Sequence, residues 1–405
     1  MITALAWRNI WRQPIRTALS MLGMALTSAL LVFMLSFQFG SYDIMKSSVL
    51  RISQGFGQFQ AKGYKADPET AKTIKNAPAL RADLAKIPGV TASSSRSVAF
   101  VLLANGERSF AAAVVGVDMK DDAKISKLSS MVKQGRPLNA TDTNAIVLGE
   151  GLARNLRLKL GDTVTMLGSG LDGSVAADAL KLVGIFKSGV PELDRQVAHV
   201  PLARFDEAFG MNGQVNIVAI TGNRLNDIVN DGRKLNALAD KYGLAYLDWG
   251  ALAPGIKQAI TLDMSTAFIM YLTLVVVVVF IILNTLYMSV LERTHEFGIL
   301  LAIGMKPAQI GKMVWAEMIF LSLVGNGIGI LLGIAITLYF QKYGIVFKGM
   351  DAIYAQWGLP ARFYPMLSTF STFIGPSAIV ISIVVLGVIP YRRVLGLEPV
   401  EAMSS

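Results

Sequence analysis

The sequence predicts an α-helical membrane protein with four transmembrane helices, one before and three after a large α+β extracytoplasmic domain. Three observations lead there. The chain is 53% hydrophobic and only 16% charged over 405 residues, with a mean hydropathy of +0.50, which is too apolar for a soluble protein of this size. Four windows, 17–42, 264–291, 318–341 and 363–391, lack Asp, Glu, Lys and Arg, and each exceeds the ~20 residues that cross a hydrocarbon core. Between the first two windows lie some 220 residues in which strand-like and helix-like periodicities mix.

Residues 1–16 read as an interfacial elbow helix. Trp7, Ile10 and Trp11 fall on one face, while Arg8, Arg12 and Arg16, spaced by four, form a stripe on the other. The indoles suit headgroup level, the arginines reach phosphates, and Pro14 redirects the chain. A plain basic anchor accounts for the arginines but not for the phasing of the tryptophans. The first span, 17–42, has an uncharged run of 26 residues, longer than the roughly 7–15 of a cleavable signal peptide, and is expected to stay as an anchor.

In the 43–263 domain a strand-like run covers Ile52 to Gln60, and a charged helix at 79–87 ends at Pro88-Gly89. VAFVLLA and ERSFAAAVVGVD then flank Asn105-Gly106, the pair suited to a type I′ hairpin turn. A helix is expected at 121–133, then a buried strand AIVLG, a helix EGLARNLRL, and strands LGDTVTML and ALKLVGIF around the polar loop 168–174. HVPLARFDEAF turns from strand to helix, VNIVAIT is a strand, 225–241 a helix and Leu244 to Leu247 a short strand. Two helix-plus-strand stretches, 52–100 and 214–248, thus bracket a β-rich middle, which predicts two lobes, one inserted into a membrane-proximal layer. The apolar runs are ordinary core, and no catalytic constellation stands out.

Pro254-Gly255 precedes the second span as a possible hinge, but Ile256, Ala259, Ile260 and Asp263 keep helical spacing, so the span 264–291 is expected to extend outward as one helix. Its β-branched run Val275 to Val279 is tolerable where lipid leaves the backbone no partner but its own helix. Residues 292–306 form the next element. Glu292, Arg293, His295 and Glu296 fall within about 160° of a helical wheel, and Phe297 to Ile303 is apolar except Gly298. Gly304 stops this helix and Pro307 starts another. A short apolar helix with a charged shoulder between two spans reads as a plug for a groove in a soluble partner. The third span, 307–341, carries Gly325, Gly327, Gly329 and Gly333. Gly325, Gly329 and Gly333 recur every four residues, a small-residue face for close helix packing. A short loop, 342–362, the fourth span and a tail, 392–405, complete the chain.

Basic residues set the orientation. Arg8, Arg12, Arg16, Arg293, Lys306, Lys312, Arg392 and Arg393 lie on one side, against Lys342, Lys348 and Arg362 in the short segment opposite. Both termini are therefore expected in the cytoplasm. The net charge of +10 is split between domain and membrane part, too dispersed for nucleic acid. The chain has no cysteine, which removes disulfides, Cys-metal sites and Cys nucleophiles. His295-Glu296 begins like HExxH, but Ile299 stands where the second histidine belongs, and no GxxxxGK[ST] occurs, so no zinc-protease or P-loop chemistry is expected. No acid or base lies inside the charge-free windows, which argues against an ion-coupled carrier and leaves a partner to supply energy.

Three membrane-edge stretches, AWRNIWRQPIRTALSMLGMAL, LERTHEFGILLAIGMKPAQIGKMVWAE and IPYRRVLGLEPVEAM, together resemble in order those of FtsX/MacB/LolC-LolE-type ABC transporter permeases. NAIVLGEGLARNLRLKLGDTVTM and GIFKSGVPELDRQVAHVPLARFDEAFG likewise resemble the extracytoplasmic domain of Lol-type and MacB permeases, and the layout is closest to the lipoprotein-releasing ones. The resemblance implies a domain of MacB/Lol type, location in the bacterial inner membrane, a second permease as homodimer or paralogous heterodimer partner, and a cytoplasmic ABC ATPase subunit. It places ATP and magnesium on that ATPase, leaving no cofactor or metal on this chain. It gives the helix after the second span the ATPase-docking role, carried here by Glu292, Arg293, His295, Glu296, Phe297, Leu300, Leu301, Gly304 and Met305. Leu301-Ala302-Ile303-Gly304 departs from the Arg-Thr pair often found before this glycine in Lol-type proteins, a departure that bears on which ATPase is taken.

The expected function is that of a non-enzymatic permease subunit, coupling a partner's ATP hydrolysis to extraction or export of a lipophilic or polypeptide substrate. Lipoprotein release is its sharpest form. The alternative is FtsX-like mechanotransmission to a periplasmic partner such as a cell-wall hydrolase. A receptor would need neither three spans after its domain nor a plug helix.

Overall fold

The computed structural model describes residues 2–12, 14–350, 354 and 359–396. Two compact units emerge: Met1–Tyr42 with Ile260–Val346 and Arg362–Ser405, and Asp43–Ala259 with Phe347–Ala361. Parts of the expected 342–362 loop (351–353 and 355–358) and of the 392–405 tail (397–405) lie outside the described residues.

The chain opens with α1 (Ile2–Ile10) and α2 (Pro14–Ile52). Then come β1 (Gly57–Ala61), α3 (Ala77–Leu84), β2 (Ala92–Asn105), β3 (Arg108–Val117), α4 (Met119–Asp122), β4 (Val132–Gly135), β5 (Ala145–Gly149) and α5 (Glu150–Asn155). β6 (Thr163–Ser169), β7 (Val175–Phe186), α6 (Pro191–Gln196), β8 (Val197–Pro201), α7 (Leu202–Phe209) and β9 (Ile217–Thr221) follow. The domain closes with α8 (Leu225–Asn230), α9 (Gly232–Lys241), β10 (Leu244–Leu247) and α10 (Trp249–Leu252). The last stretch holds α11 (Pro254–Glu292), α12 (Thr294–Ala302), α13 (Pro307–Tyr343), β11 (Ile345–Val346), β12 (Arg362–Phe363), α14 (Thr369–Leu386) and α15 (Val388–Leu395).

Ten strands of the domain form one sheet in the order β10-β1-β9-β2-β3-β8-β5-β7-β4, with β6 bridging β2 and β7. The 14-residue β2 is what lets two lobes share it. Its first half, Ala92 to Arg96, pairs with β9, and Leu102 to Ala104 pair with β6. At the first lobe, Leu80, Leu84, Ile228 and Leu235 of the helices pack on Phe59, Val218 and Ile220 of the strands. At the second, Leu152, Phe205 and Phe209 cover Val101, Leu103, Val164 and Leu180, and the two phenylalanine rings stack at 4.2 Å. The apolar periodicities at 52–100 and 214–248 thus meet in space, because β1, β9 and β10 are neighbours.

Four local expectations need correction. The hairpin turn is Gly106-Glu107, with Asn105 opposite Arg108. Only Gly106 has positive φ (57°), so the turn is not type I′, and the Asn105 amide is free to donate to the Leu156 carbonyl at 3.1 Å. The helix expected at 121–133 stops at Asp122 and gives way to a 3-10 turn (Leu128–Met131) and β4. The cause is a buried ion pair, Arg96 Nε to Asp122 Oδ1 at 2.5 Å, together with the Ser126 hydroxyl donating to the Ile52 carbonyl at 2.8 Å. Ile52 ends α2 rather than beginning a strand, since Leu50 and Ile52 are buried and the chain turns at Gly55 (φ 79°). The 225–241 helix breaks at Asp231, between α8 and α9.

In the membrane unit, four helical stretches are long and apolar enough to cross a bilayer among the described residues: Pro14–Ile52, Pro254–Glu292, Pro307–Tyr343 and Thr369–Leu395. The glycine face of α13 packs against α2. A Cβ on Gly329 would lie 2.5 Å from the Ala25 carbonyl oxygen, one on Gly333 2.8 Å from Val32 Cβ and one on Gly325 3.0 Å from Met24 Cβ, whereas Gly327 has open space. Asn326, on the same face, accepts from the Ser28 hydroxyl and donates to the Ser322 carbonyl at 2.8 Å, so its polar groups are satisfied without water. Trp315 ties α13 to α14 by donating to the Val384 carbonyl at 3.1 Å. Pro254 starts α11 rather than hinging it, and the helix is unbroken to Glu292.

Candidate functional site

The side chains with the most cross-helix charge pairing converge where α11 ends and α12 begins. Glu292 closes α11, Arg293 leaves helical geometry (φ −98°, ψ 11°), and the Thr294 hydroxyl donates to the Leu291 carbonyl at 2.7 Å. α12 then runs to Ala302 and ends in a left-handed turn: Gly304 has φ 99°, and its N–H and that of Met305 return to Leu301 and Leu300. At the start of α13 the Gln309 side chain accepts from the Lys306 backbone N–H at 3.1 Å, and Pro307 fills the first position.

The residues expected to face a partner divide into two sets. Phe297 is fully buried (0% exposed) in the core of the membrane unit, and Leu300, Leu301 and Met305 are half-buried against it. These four pack α12 into the core of its own unit, Phe297 completely and the other three in part. Arg293 is also turned inward: it bonds Glu317 at 3.0 Å and Glu296 at 3.3 Å and lies over the Phe297 ring at 5.2 Å. The face left outward is His295, Glu296, Ile299, Ala302, Ile303 and Gly304, with Ile303 79% exposed. Ile299 and Ile303, four apart, are its large apolar members.

The elbow joins the same cluster. α1 stops at Ile10, and Ala6 and Ile10 are buried in the bundle core, so Ile10 does not share a lipid-facing surface with the tryptophans. Trp7 sits edge-on to Phe320 (5.9 Å) and to Trp11 (6.1 Å). Two of the three arginines expected at phosphates are paired within the chain instead. Arg12 bonds Glu296 at 3.2 Å, and Arg16 bonds Glu292 at 2.5 Å and the Thr285 carbonyl at 2.6 Å. Arg8 is exposed, with no ion pair among the described residues. Glu317 was missed because it stands one residue outside the charge-free window 318–341. It accepts from Asn9 Nδ2 at 2.7 Å as well as from Arg293, so α1, the α11–α12 junction and α13 meet on one carboxylate.

Asn9, Arg12, Arg16, Thr285, Arg293, Glu296 and Glu317 border a cleft of about 220 Å³. Its charges alternate, and no cluster of three His, Asp or Glu with metal-binding arrangement occurs among the described residues. The arrangement ties helices together. Exposed Arg12–Glu296 contributes at most ~1 kcal/mol, whereas Arg293–Glu317, with both side chains 14% exposed, is the pair with energetic weight. A second polar tie joins α2 and α11 farther along. Asp263 accepts from Tyr42 at 2.5 Å and Gln38 at 3.1 Å, and Gln38 in turn accepts from Tyr271 at 3.0 Å. The three packing glycines lie away from both clusters, on the α2–α13 seam.

Comparison with known proteins matches residues 17–237, more than half the chain, to the MacB-like periplasmic core domain, and residues 268–399 to the FtsX-like permease C-terminal domain. An uncharacterized ABC transporter permease of Methanocaldococcus jannaschii is 24% identical over 347 residues, covering 83% of each chain. The lipoprotein-releasing system transmembrane protein LolC of Xylella fastidiosa is 22% identical over 74% of this chain and 75% of its own. The macrolide export ATP-binding/permease protein MacB of Agrobacterium fabrum is 25% identical over 99% of this chain, which spans 60% of that relative.

Proposed function

We propose a function from one premise: the chain belongs to the family of ABC transporter permeases that join a MacB-like periplasmic core domain to an FtsX-like C-terminal membrane domain. On that premise α12 is the docking element for an ABC ATPase carried on a separate chain, which holds ATP and magnesium. The protein is an inner-membrane subunit with both termini cytoplasmic, paired with a second permease. Its substrate is lipophilic or a lipid-bearing polypeptide, with lipoprotein release as the specific form.

The observation that carries this reading is the charge lattice around α12. Glu296 is tied to Arg12 of the elbow segment, Glu292 to Arg16 of α2, and Arg293 to Glu317 of α13. A push on the exposed face of α12 is therefore shared among α1, α2, α11 and α13 rather than absorbed by a loose loop. α2 runs unbroken to Ile52 and α11 from Pro254, so Glu292 closes a single helix of 39 residues.

Ile303→Glu tests it. The residue touches solvent, so the substitution leaves the bundle intact while placing a charge where an apolar anchor enters a partner groove. In membranes holding the cognate ATPase, the variant should fold as wild type yet retain less than a tenth of the ATPase on affinity purification. Full retention of the ATPase by Ile303→Glu overturns the docking role. Retained docking and ATP turnover with no substrate release, and a copurifying hydrolase, would assign mechanotransmission instead.

A further inference from the structure

α11 is the span least covered by its own bundle: 17% of its most apolar window is buried, against 33–44% in the other three. Its inner face is formed by Val275, Val279 and Ile282, which lie in the core of the membrane unit. Asn284 stands about 140–180° around the helix from all three. Its side chain is exposed and makes no hydrogen bond among the described residues. Four hydroxyls of the same helix, those of Ser265, Thr266, Thr273 and Thr285, donate to carbonyls four residues back, and Asn326 of α13 is satisfied inside the bundle. Asn284 is six to seven residues from the middle of the charge-free window 264–291, about 10 Å at 1.5 Å per residue, and so lies within the ~15 Å half-thickness of the hydrocarbon core. An amide left unpaired at that depth is costly.

Asn284 also belongs to a repeat of 3.5 residues. Met270, Thr273, Val277, Phe280, Asn284, Tyr287 and Leu291 are spaced alternately three and four apart, and all but the half-buried Tyr287 are exposed, Phe280 by 72%. Written as a heptad, Met270, Val277, Asn284 and Leu291 take the a positions and Thr273, Phe280 and Tyr287 the d positions. Such a seam suits a second helix crossing at a small angle, and a single asparagine at an a position is the device by which a coiled coil fixes register and strand number.

We propose that this seam packs against the same seam of a second copy of the chain, with Asn284 bonded to the partner's Asn284 across a twofold axis. The proposal gives the second permease of the reading above its contact surface and rests on that reading. Acyl chains offer no hydrogen bond, headgroups lie above this depth and a soluble protein does not enter the hydrocarbon, so the amide calls for another membrane helix. Two copies of one chain insert with the same orientation, so paired α11 helices run parallel and bring residue 284 opposite residue 284 at one depth. A primary amide both donates and accepts, so each copy satisfies the other, which is the self-complementarity of a twofold contact. A different chain would have to present a polar group at the same level.

The chain has no cysteine, so single-cysteine variants report this contact without interference from the chain's own thiols. In the full chain in native membranes, Val277→Cys and Phe280→Cys should each give disulfide-linked homodimers on mild oxidation at least fivefold more than Leu272→Cys, an exposed position on another side of the helix. Adding Asn284→Leu to Val277→Cys changes a residue that faces away from the core and should lower the yield severalfold, whereas Asn284→Gln, which keeps donor and acceptor, should retain most of it. Equal yields at all three cysteine positions would reduce the signal to random collision, adducts only to a different chain would make the partner a paralogue, and an unchanged yield with Asn284→Leu would deny the amide its role; each overturns the proposal. No cross-link at Val277 or Phe280 while native mass spectrometry still reports a dimer would overturn the seam and leave the pairing with a second permease standing. The readout needs neither ATPase nor substrate, so it stands or falls separately from the Ile303→Glu result.

Discussion

Glu317→Gln removes the charge on which three helices converge, and its cost can be worked from the geometry. Breaking a fully buried ion pair by neutralising one partner costs about 3–5 kcal/mol, whereas an exposed pair is worth about 0–1 kcal/mol. Arg293 and Glu317 each retain 14% exposure, and Arg293 keeps a second carboxylate, Glu296, at 3.3 Å. The single substitution should then cost about 2 kcal/mol. Arg293→Gln should cost a similar amount, since Glu317 keeps only the Asn9 amide at 2.7 Å among its bonded side chains. The double variant places two neutral amides together and should cost less than the sum, giving a coupling of about 2 kcal/mol. Equilibrium unfolding in mixed micelles, followed by the fluorescence of Trp7, Trp11 and Trp315, measures all three. Additive costs, within about 0.5 kcal/mol, would show that the pair does not hold α12 to α13 and would refute the lattice as the route of force.

Gly329→Leu should destabilise the bundle strongly, because its Cβ would lie 2.5 Å from the backbone of α2, while Gly327→Leu, with open space, should not; equal thermal stabilities would contradict the packing. Burial pushes the His199 imidazole down to about 4, with Asp122 opposing and Arg96 adding to the shift. The unfolded chain takes up that proton below about 6.5 and the folded one only near 4, so stability should fall by up to about 3 kcal/mol as pH drops across that window. His199→Gln should flatten this part of the pH profile, and an unchanged profile would deny the histidine its role. Inserting Gly-Gly-Ser-Gly after Thr261 interrupts α11 but spares the Asp263 tie to Tyr42 and Gln38. ATPase stimulation should persist while release in a reconstituted assay is lost; surviving release would move the force path to α2.

Some of this protein was settled by its sequence alone. Four charge-free windows determine the long helices, since a backbone in hydrocarbon must satisfy its own hydrogen bonds. Gly304 and Pro307 determine the break between α12 and α13, because each acts on its own dihedral angles. The glycine repeat of α13 likewise announced a close helix contact, though not that α2 would fill it. Tertiary structure decided the rest. Whether Phe297 or Ile303 faces outward depends on where α13 and the elbow pass, and no periodicity within an all-apolar turn distinguishes them. Asp122 ended an expected helix only because Arg96, distant in sequence, was there to draw it inward. Glu317 gains its partners only where Asn9 and Arg293 meet it, and Phe100 and Leu102, in an apolar run that reads as core, are left exposed by the sheet. Local propensity acts through a residue and its neighbours, whereas burial and charge pairing depend on what the fold brings to the other side.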